Sequence, residues 1–223
     1  MELPQTTYNL NDMNINDYKV ITDFSQYTDI SNLKITAKKY TCNENNYTII
    51  KYNKSNLDVD EYSTLGLARS IIIKDGKVVC FSPPKSHEYK NFKENNTYQE
   101  CFAQDFIDGT MINLFYDETI SQWQLATRST VGANTQFFVN NENDKRTFRE
   151  MFVEACSIAN LEFNQLDKQF CYNFILQHPN NRIVTPIDFP KVFLIRAYNI
   201  DNATNIVREI STEELFKNCI GLS

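Results

Sequence analysis

Three cations and one tight turn carry most of the chemistry legible in this chain. Arg69 stands before Ser-Ile-Ile-Ile, Lys85 follows Pro83-Pro84, Arg128 sits in Thr-Arg-Ser-Thr, and Asp108-Gly109-Thr110 interrupts two apolar stretches. Guanidinium and ammonium groups suit phosphate binding, because hydrogen bonds assisted by charge are the strong ones. Each cation has a plainer alternative, a surface carboxylate partner. Asp108-Gly109 favours a tight turn, at which glycine lets backbone come close to a ligand. The same pair also closes an ordinary β-hairpin. Tyr52 on a strand is core or groove wall. His178, ahead of Pro179, has no nucleophile beside it in sequence and reads as structural. Phe106 and Trp123 read as core packing. With two histidines and six cysteines scattered without a Cys-x-x-Cys pair, no metal site is expected.

The elements that must position these residues follow from hydrophobic period. Residues 33–40 and 47–53 alternate as strands. "SIIIKDGKVVCF" is a hairpin turning at Lys74-Asp75-Gly76-Lys77, and the double proline behind it stops the ladder. Residues 100–106, 110–117 and 122–129 read as three more strands. The run 141–161 is a helix starting at Asn143 or Asp144, with Phe148, Met151, Phe152, Ala155 and Cys156 on one face. Residues 168–178 and 190–200 are strands, and Ser211 with Glu214 is a capping box for a terminal helix. Residues 1–30 are an irregular lead-in with a short helix over Asp17–Asp23. The sum is an α+β domain rich in antiparallel strands, occupying residues 31–223.

The chain has 223 residues, enough for one domain with a real core, and 42% hydrophobic residues place it among folded proteins. The net charge of −6 excludes a general basic coat but not a local basic groove. No apolar run approaches the ~20 residues a membrane-spanning helix needs. The N-terminus shows no secretory signal, so the expected location is cytoplasmic.

Five stretches in order are "KYN" with Tyr52, "LARSIIIKDGKVVCF" with Arg69, "PPKS" with Lys85, "FIDGT" with Asp108 and Gly109, and "ATRSTVGA" with Arg128. A sixth, "FILQHPNNRIV", is followed by "FPKVFLIRAYNI". Together they resemble the nucleotidyltransferase domain of ATP-dependent RNA ligases, especially the bacteriophage tRNA-repair ligases and versions carried by large DNA viruses. The resemblance covers residues 33–218. It implies an antiparallel-sheet, ATP-grasp-like fold shared by DNA and RNA ligases and mRNA capping enzymes. It implies a lysyl-adenylate mechanism using ATP and Mg2+, with transfer of AMP to an RNA 5′-phosphate end in RNA repair. A lysine serves there because a desolvated amine beside other cations is nucleophilic near neutral pH. By position, the resemblance gives Arg69 and Lys85 the neutralisation of phosphate charge. It sets Tyr52 beside the nucleotide, Asp108-Gly109 at the close turn, and Arg128 as the basic residue after the nucleophile hairpin. A viral source implies the host cytoplasm.

The departures lie at the chemistry. Phe106 stands where the family has its lysine nucleophile, and a phenyl ring cannot form a phosphoramidate. Ile175 stands where the family has a glutamate. No Glu-Gly-x-Val stretch or Lys-x-Lys pair precedes Ser223. The expectation is therefore a catalytically degenerate RNA ligase-like protein, a pseudoenzyme that binds a nucleotide or an RNA end. The first alternative is an active ligase whose motifs are completed elsewhere, with Lys85 or another amine as nucleophile. The second is a structural protein that uses the fold to meet a protein partner.

Overall fold

The computed structural model describes residues 6–13, 19–21, 33–101, 103–136, 146–181 and 186–218. Two sheets and one long helix form three layers. The strands are β1 (Thr7–Asn9), β2 (Lys19–Ile21), β3 (Ile35–Cys42), β4 (Asn45–Tyr52), β5 (Ile71–Lys74) and β6 (Lys77–Cys80). They continue with β7 (Thr110–Asp117), β8 (Gln122–Ala126), β9 (Phe170–Gln177), β10 (Lys191–Asp201) and β11 (Ile206–Glu209). The helices are α1 (Tyr89–Asn95), α2 (Phe148–Ile158) and α3 (Thr212–Asn218). Sheet one runs β1-β11-β10-β9-β7-β8 and sheet two runs β2-β3-β4-β5-β6. All pairings are antiparallel except β2 with β3.

Alternation along β7 and β9 divides the core. Ile112 and Leu114 of β7, with Tyr172, Phe174 and Leu176 of β9, face α2 and meet Phe148, Met151, Phe152 and Ala155. Phe115 and Cys171 face the other way and pack with Ile49, Ile50, Ile71 and Ile72 of sheet two. Sheet one is thus covered on both faces, which is why β9 reads as an unbroken apolar run except at Asn173. At one end the sheets are clamped by buried charge. The Lys74 ammonium lies 2.6 Å from Asp117, whose carboxylate also accepts from the Tyr47 hydroxyl at 2.5 Å. Lys74 donates to Thr119 as well.

Most expected elements appear near their places, with instructive exceptions. The β5–β6 hairpin turns at Asp75-Gly76, both at positive φ (50° and 75°), the backbone that Asp-Gly favours. Residues 19–21 form a strand beside β3 instead of a helix, and the rest of 17–23 lies outside the described residues. Residues 7–9 likewise join sheet one, so the lead-in contributes a strand to each sheet. Helix α2 begins later than Asn143 or Asp144, which lie outside the described residues. Its cap is Thr147, whose hydroxyl accepts from the Glu150 amide.

The largest correction concerns residues 100–106. No strand forms over 103–109, so Asp108-Gly109 does not close a hairpin, and Phe106 is 97% exposed instead of packed in the core. The segment is held from outside: Gln177 donates to the Asp108 carbonyl at 2.8 Å, and Arg196 to the Gln104 carboxamide at 3.0 Å. Gly109 lies at φ 150°, where a Cβ would come within 2.5 Å of the Ile175 side chain and 2.6 Å of the Leu176 carbonyl. Both neighbours are strand β9, which has little room to yield. Gly109→Ala is therefore expected to cost about 1–3 kcal/mol through overpacking and backbone strain. A urea midpoint unchanged from wild type would contradict that close approach.

Candidate phosphate-binding site

The residues singled out by type and spacing lie near the end of β4, the start of β7 and the end of β8, though not all at the same point. The 3₁₀ turn Leu65–Leu67 delivers Arg69, and the Tyr52 amide donates to the Ala68 carbonyl at 2.6 Å, bringing the end of β4 against that turn. Arg128 comes from the loop after β8. Its guanidinium carbon lies 5.1 Å from the centre of the buried Tyr52 ring, and its Nε donates to the Arg69 carbonyl at 3.4 Å. Tyr52, Arg69 and Arg128 are therefore one cluster. The Tyr52 ring is buried and carries the Arg128 cation on its face.

The loop that presents Arg128 is locked by its own side chains. The Thr127 hydroxyl accepts from the amides of Ser129 (3.3 Å) and Thr130 (3.2 Å), while the Thr127 amide donates to the Thr130 carbonyl at 2.9 Å. Such local bonds are what Ser and Thr do best in turns. Beside the loop, the Lys51 amine of β4 donates to the Ser129 hydroxyl at 3.1 Å. Burial, and then the charges of Arg128 and Lys38, hold the Lys51 ammonium below the ordinary lysine range.

Lys85 is adjacent but turned aside. Its amide donates to the Gly66 carbonyl at 2.9 Å, so its backbone lies on the same turn as Arg69. Its ammonium donates to the Ser86 carbonyl at 2.7 Å and stands 4.5 Å from the centre of the Tyr62 ring. Asp108 and Gly109 lie at the same end of sheet one, held on β9 as described above. Ile175 sits between Met111 and Phe193 on neighbouring strands, an apolar row on the groove side. His178 is buried with Nε2 3.3 Å from Glu154, a structural contact as expected.

Beneath the cluster is a buried polar floor that the sequence did not disclose. The Asn113 amide donates to the Ser82 hydroxyl (2.9 Å), and the Asn173 amide to Asn113 Oδ1 (2.9 Å) and the Phe81 carbonyl (3.1 Å). The Ser70 hydroxyl and Asn173 Oδ1 find no partner, although such atoms are usually satisfied.

Ion pairs take up several cations outside this cluster, whereas Lys54, Lys77, Lys168 and Lys191, like the cluster, have no carboxylate partner among the described residues. Lys34, Lys74, Arg146, Arg196, Arg208 and Lys217 all pair with carboxylates. Among the described residues Lys51, Arg69, Lys85 and Arg128 have no carboxylate partner. Lys51 and Arg128 side by side, with Arg69 and Lys85 on the adjoining turn, make a local positive field in a protein of net charge −6. They suit a phosphate chain, and the cluster itself offers no carboxylate to a divalent ion. Among the described residues no group of three or more His, Cys, Asp or Glu could hold a metal. A cleft of about 620 Å3 between the 3₁₀ turn Val59–Glu61 and α1 is lined by Asp60, Ser63, His87 and asparagines, without a Lys or Arg. Its chemistry does not suit an anion. No helix among the described residues is long and apolar enough to cross a membrane.

No family model matches the chain. Over 100 residues, 43% of this chain, it is 30% identical to an RNA ligase of Rhodothermus phage RM378, and the matched region is 22% of that protein's length. The chain is thus similar, over part of its length, to a phage RNA ligase, on an α+β framework of mainly antiparallel sheets.

Proposed function

We propose that the protein is an RNA ligase-like nucleotidyltransferase-fold protein that binds the phosphates of a nucleotide or an RNA 5′ end and does not form a lysyl-adenylate at position 106. The observation that carries this reading is Arg128 lying over the Tyr52 ring and bonded to the Arg69 backbone, with no carboxylate partner for either arginine among the described residues. A guanidinium fork held in place in this way suits phosphate oxygens, and Arg69 beside it can supply a second. An exposed phenyl ring at 106 supplies no amine for attack on the α-phosphorus of ATP.

Two measurements test it. Incubated with α-labelled ATP and Mg2+, the protein is expected to acquire no acid-labile, alkali-stable label. In fluorescence anisotropy, a 5′-phosphorylated oligoribonucleotide is expected to bind with an affinity that falls steeply with salt, because phosphate contacts release counterions. Binding that does not respond to salt overturns the reading. If ATP and the oligonucleotide both leave the melting temperature unmoved, the protein works through a protein partner instead, since ligand bound to the native state must raise it.

The short span of the match favours one second reading. The region shared with the phage RNA ligase is 22% of that protein, so further parts of an active site belong elsewhere in such a chain. In this reading the protein adenylylates a different amine, with Lys85 the candidate and the remaining motifs supplied by a longer protein. A labelled adduct lost in Lys85→Ala establishes it and removes the first.

A further inference from the structure

We propose that Lys51, Ser129 and Arg128 form a binding site for a phosphate monoester, the group at the 5′ end of an RNA, with Lys51 as the member that makes binding sensitive to pH. The proposal rests on the phosphate-binding reading above and names the anion and the residues that hold its terminal group.

The donor inventory shows why these three belong together. The Lys51 ammonium has three donors, and one is used on the Ser129 hydroxyl 3.1 Å away. That hydroxyl accepts from Lys51, which leaves its own proton to donate to an anion. Arg128 uses Nε on the Arg69 carbonyl, and its two terminal nitrogens hydrogen-bond to no other described residue. The Thr127 hydroxyl holds the loop by capping the amides of Ser129 and Thr130, so Arg128 and Ser129 are set before any ligand arrives. Lys51 comes from the opposite sheet. It shares strand parity with Tyr47, whose hydroxyl reaches Asp117 of sheet one, so the Lys51 side chain also points across the groove. The site closes across the mouth of the groove, with one wall from each sheet.

The described groups that face Lys51 are neutral or positive. Thr36 of β3 pairs with it and donates to its carbonyl, Lys38 of β3 lies one step away on the same face, and Arg128 and Ser129 approach from the loop. Among the described residues no carboxylate compensates it, so an arriving dianion is the partner it would take. Burial and like charge hold its free-state ammonium below the ordinary lysine range, and an anion would reverse part of that shift. The sign follows. Binding is strongest while Lys51 is protonated and weakens as pH rises through its value in the complex. A phosphate monoester is already dianionic above pH about 7, since its second pKa is about 6, so a decline in affinity at higher pH belongs to the protein.

The test measures binding of one oligoribonucleotide in 5′-phosphorylated and 5′-hydroxyl forms, by titration calorimetry from pH 7 to 9.5 in two buffers of different ionisation heat. The wild type is expected to prefer the phosphorylated form, to take up protons on binding it, and to lose affinity as pH rises. Lys51→Met is expected to weaken the phosphorylated oligonucleotide by about tenfold or more and leave the hydroxyl form unchanged, the size of one charge-assisted hydrogen bond. Lys51→Arg is expected to keep most of the affinity and abolish the proton uptake, which a merely structural lysine would not do. Ser129→Ala is expected to weaken the phosphorylated form alone. The proposal is overturned if Lys51→Met binds the phosphorylated form as the wild type does, or if the wild type binds both forms equally. Failure of the wild type to bind any nucleotide or RNA overturns the phosphate-binding reading with it. Tight salt-dependent binding indifferent to Lys51 overturns this site alone.

Discussion

Replacing Asp117 by alanine is expected to lower the unfolding free energy by about 3–5 kcal/mol, the cost of removing one partner from a buried ion pair. Lys74 and Asp117 side chains are only 6% and 2% exposed, so the orphaned ammonium would remain in a largely desolvated place. The alanine variant leaves an ammonium facing Tyr47, Thr119 and Asn45, all of which are neutral. A variant that removes both charges, Lys74→Met with Asp117→Leu, is expected to regain much of the loss, because a buried pair contributes far less than its halves cost when orphaned. Chemical denaturation with a common slope measures both. A loss below about 1 kcal/mol for Asp117→Ala would place this pair among exposed ones, whose worth is about that much.

The same clamp sets an acid limit on stability. Burial alone pushes the Asp117 carboxyl up, but hydrogen bonds from Lys74, Tyr47 and Thr119 outweigh it and leave the group below its ordinary value. A carboxyl lowered in the folded state contributes stability that is complete above its unfolded value, about 3.9, and is lost as pH falls through the folded one. The wild type is expected to lose stability steeply below pH about 4, and Asp117→Asn to show a shallower slope there. Tyr47 and Lys51 lie four residues apart on β4, so the clamp and the phosphate site sit roughly 13 Å apart along one strand. Loosening the clamp should therefore weaken the ligand site without touching it.

What the sequence disclosed depended on periodicity and on local chemistry. The β5–β6 hairpin was legible because Asp75-Gly76 demands the turn it makes and the flanking residues are apolar. Helix α2 was legible from its buried face, although its start was misplaced. Thr147 with Glu150 is the capping box, and the asparagines upstream competed for attention as caps. Helix α1 escaped because none of its residues is buried, leaving no apolar stripe to detect. β11 has four residues, too few for a pattern. Phe106 was misassigned for a different reason: an aromatic residue is usually core, but residues 103–109 form no strand, and their bonds to Gln177 and Arg196 leave the ring exposed. At the site, the order of motifs brought Tyr52, Arg69 and Arg128 forward together, and these do meet. Lys85 and Asp108-Gly109 were grouped with them by order alone, and their contacts lie elsewhere. Lys51 had a signal that was not used. It follows Tyr47 and Ile49 at every second position, so a lysine occupies the inward face of a strand.

The double variant Arg69→Ala/Arg128→Ala is expected to bind a 5′-phosphorylated oligoribonucleotide on the order of 100-fold more weakly than wild type. Each hydrogen bond to a charged group is worth about 1.5–3 kcal/mol, and about 1.4 kcal/mol is a factor of ten. Two arginines therefore supply at least that factor if each makes one such bond. Folding should survive, because neither side chain holds a carboxylate and Arg128 is exposed; the main loss is its contact with the Tyr52 ring, roughly 0.5–1 kcal/mol. The slope of log affinity against log salt should flatten by about 1.4, two contacts at the single-strand value of about 0.7 each. Arg128→Lys should fall between, since lysine keeps the charge and loses the planar fork. Lys168→Ala is the control: it removes a cation that stands over Tyr116, close to Asp117 at the clamp end of β7. If Lys168→Ala weakens binding as much as Arg128→Ala does, the protein attracts RNA by its general field and the cluster over Tyr52 is not the site. If the double variant folds and binds like the wild type, the phosphate-binding reading fails.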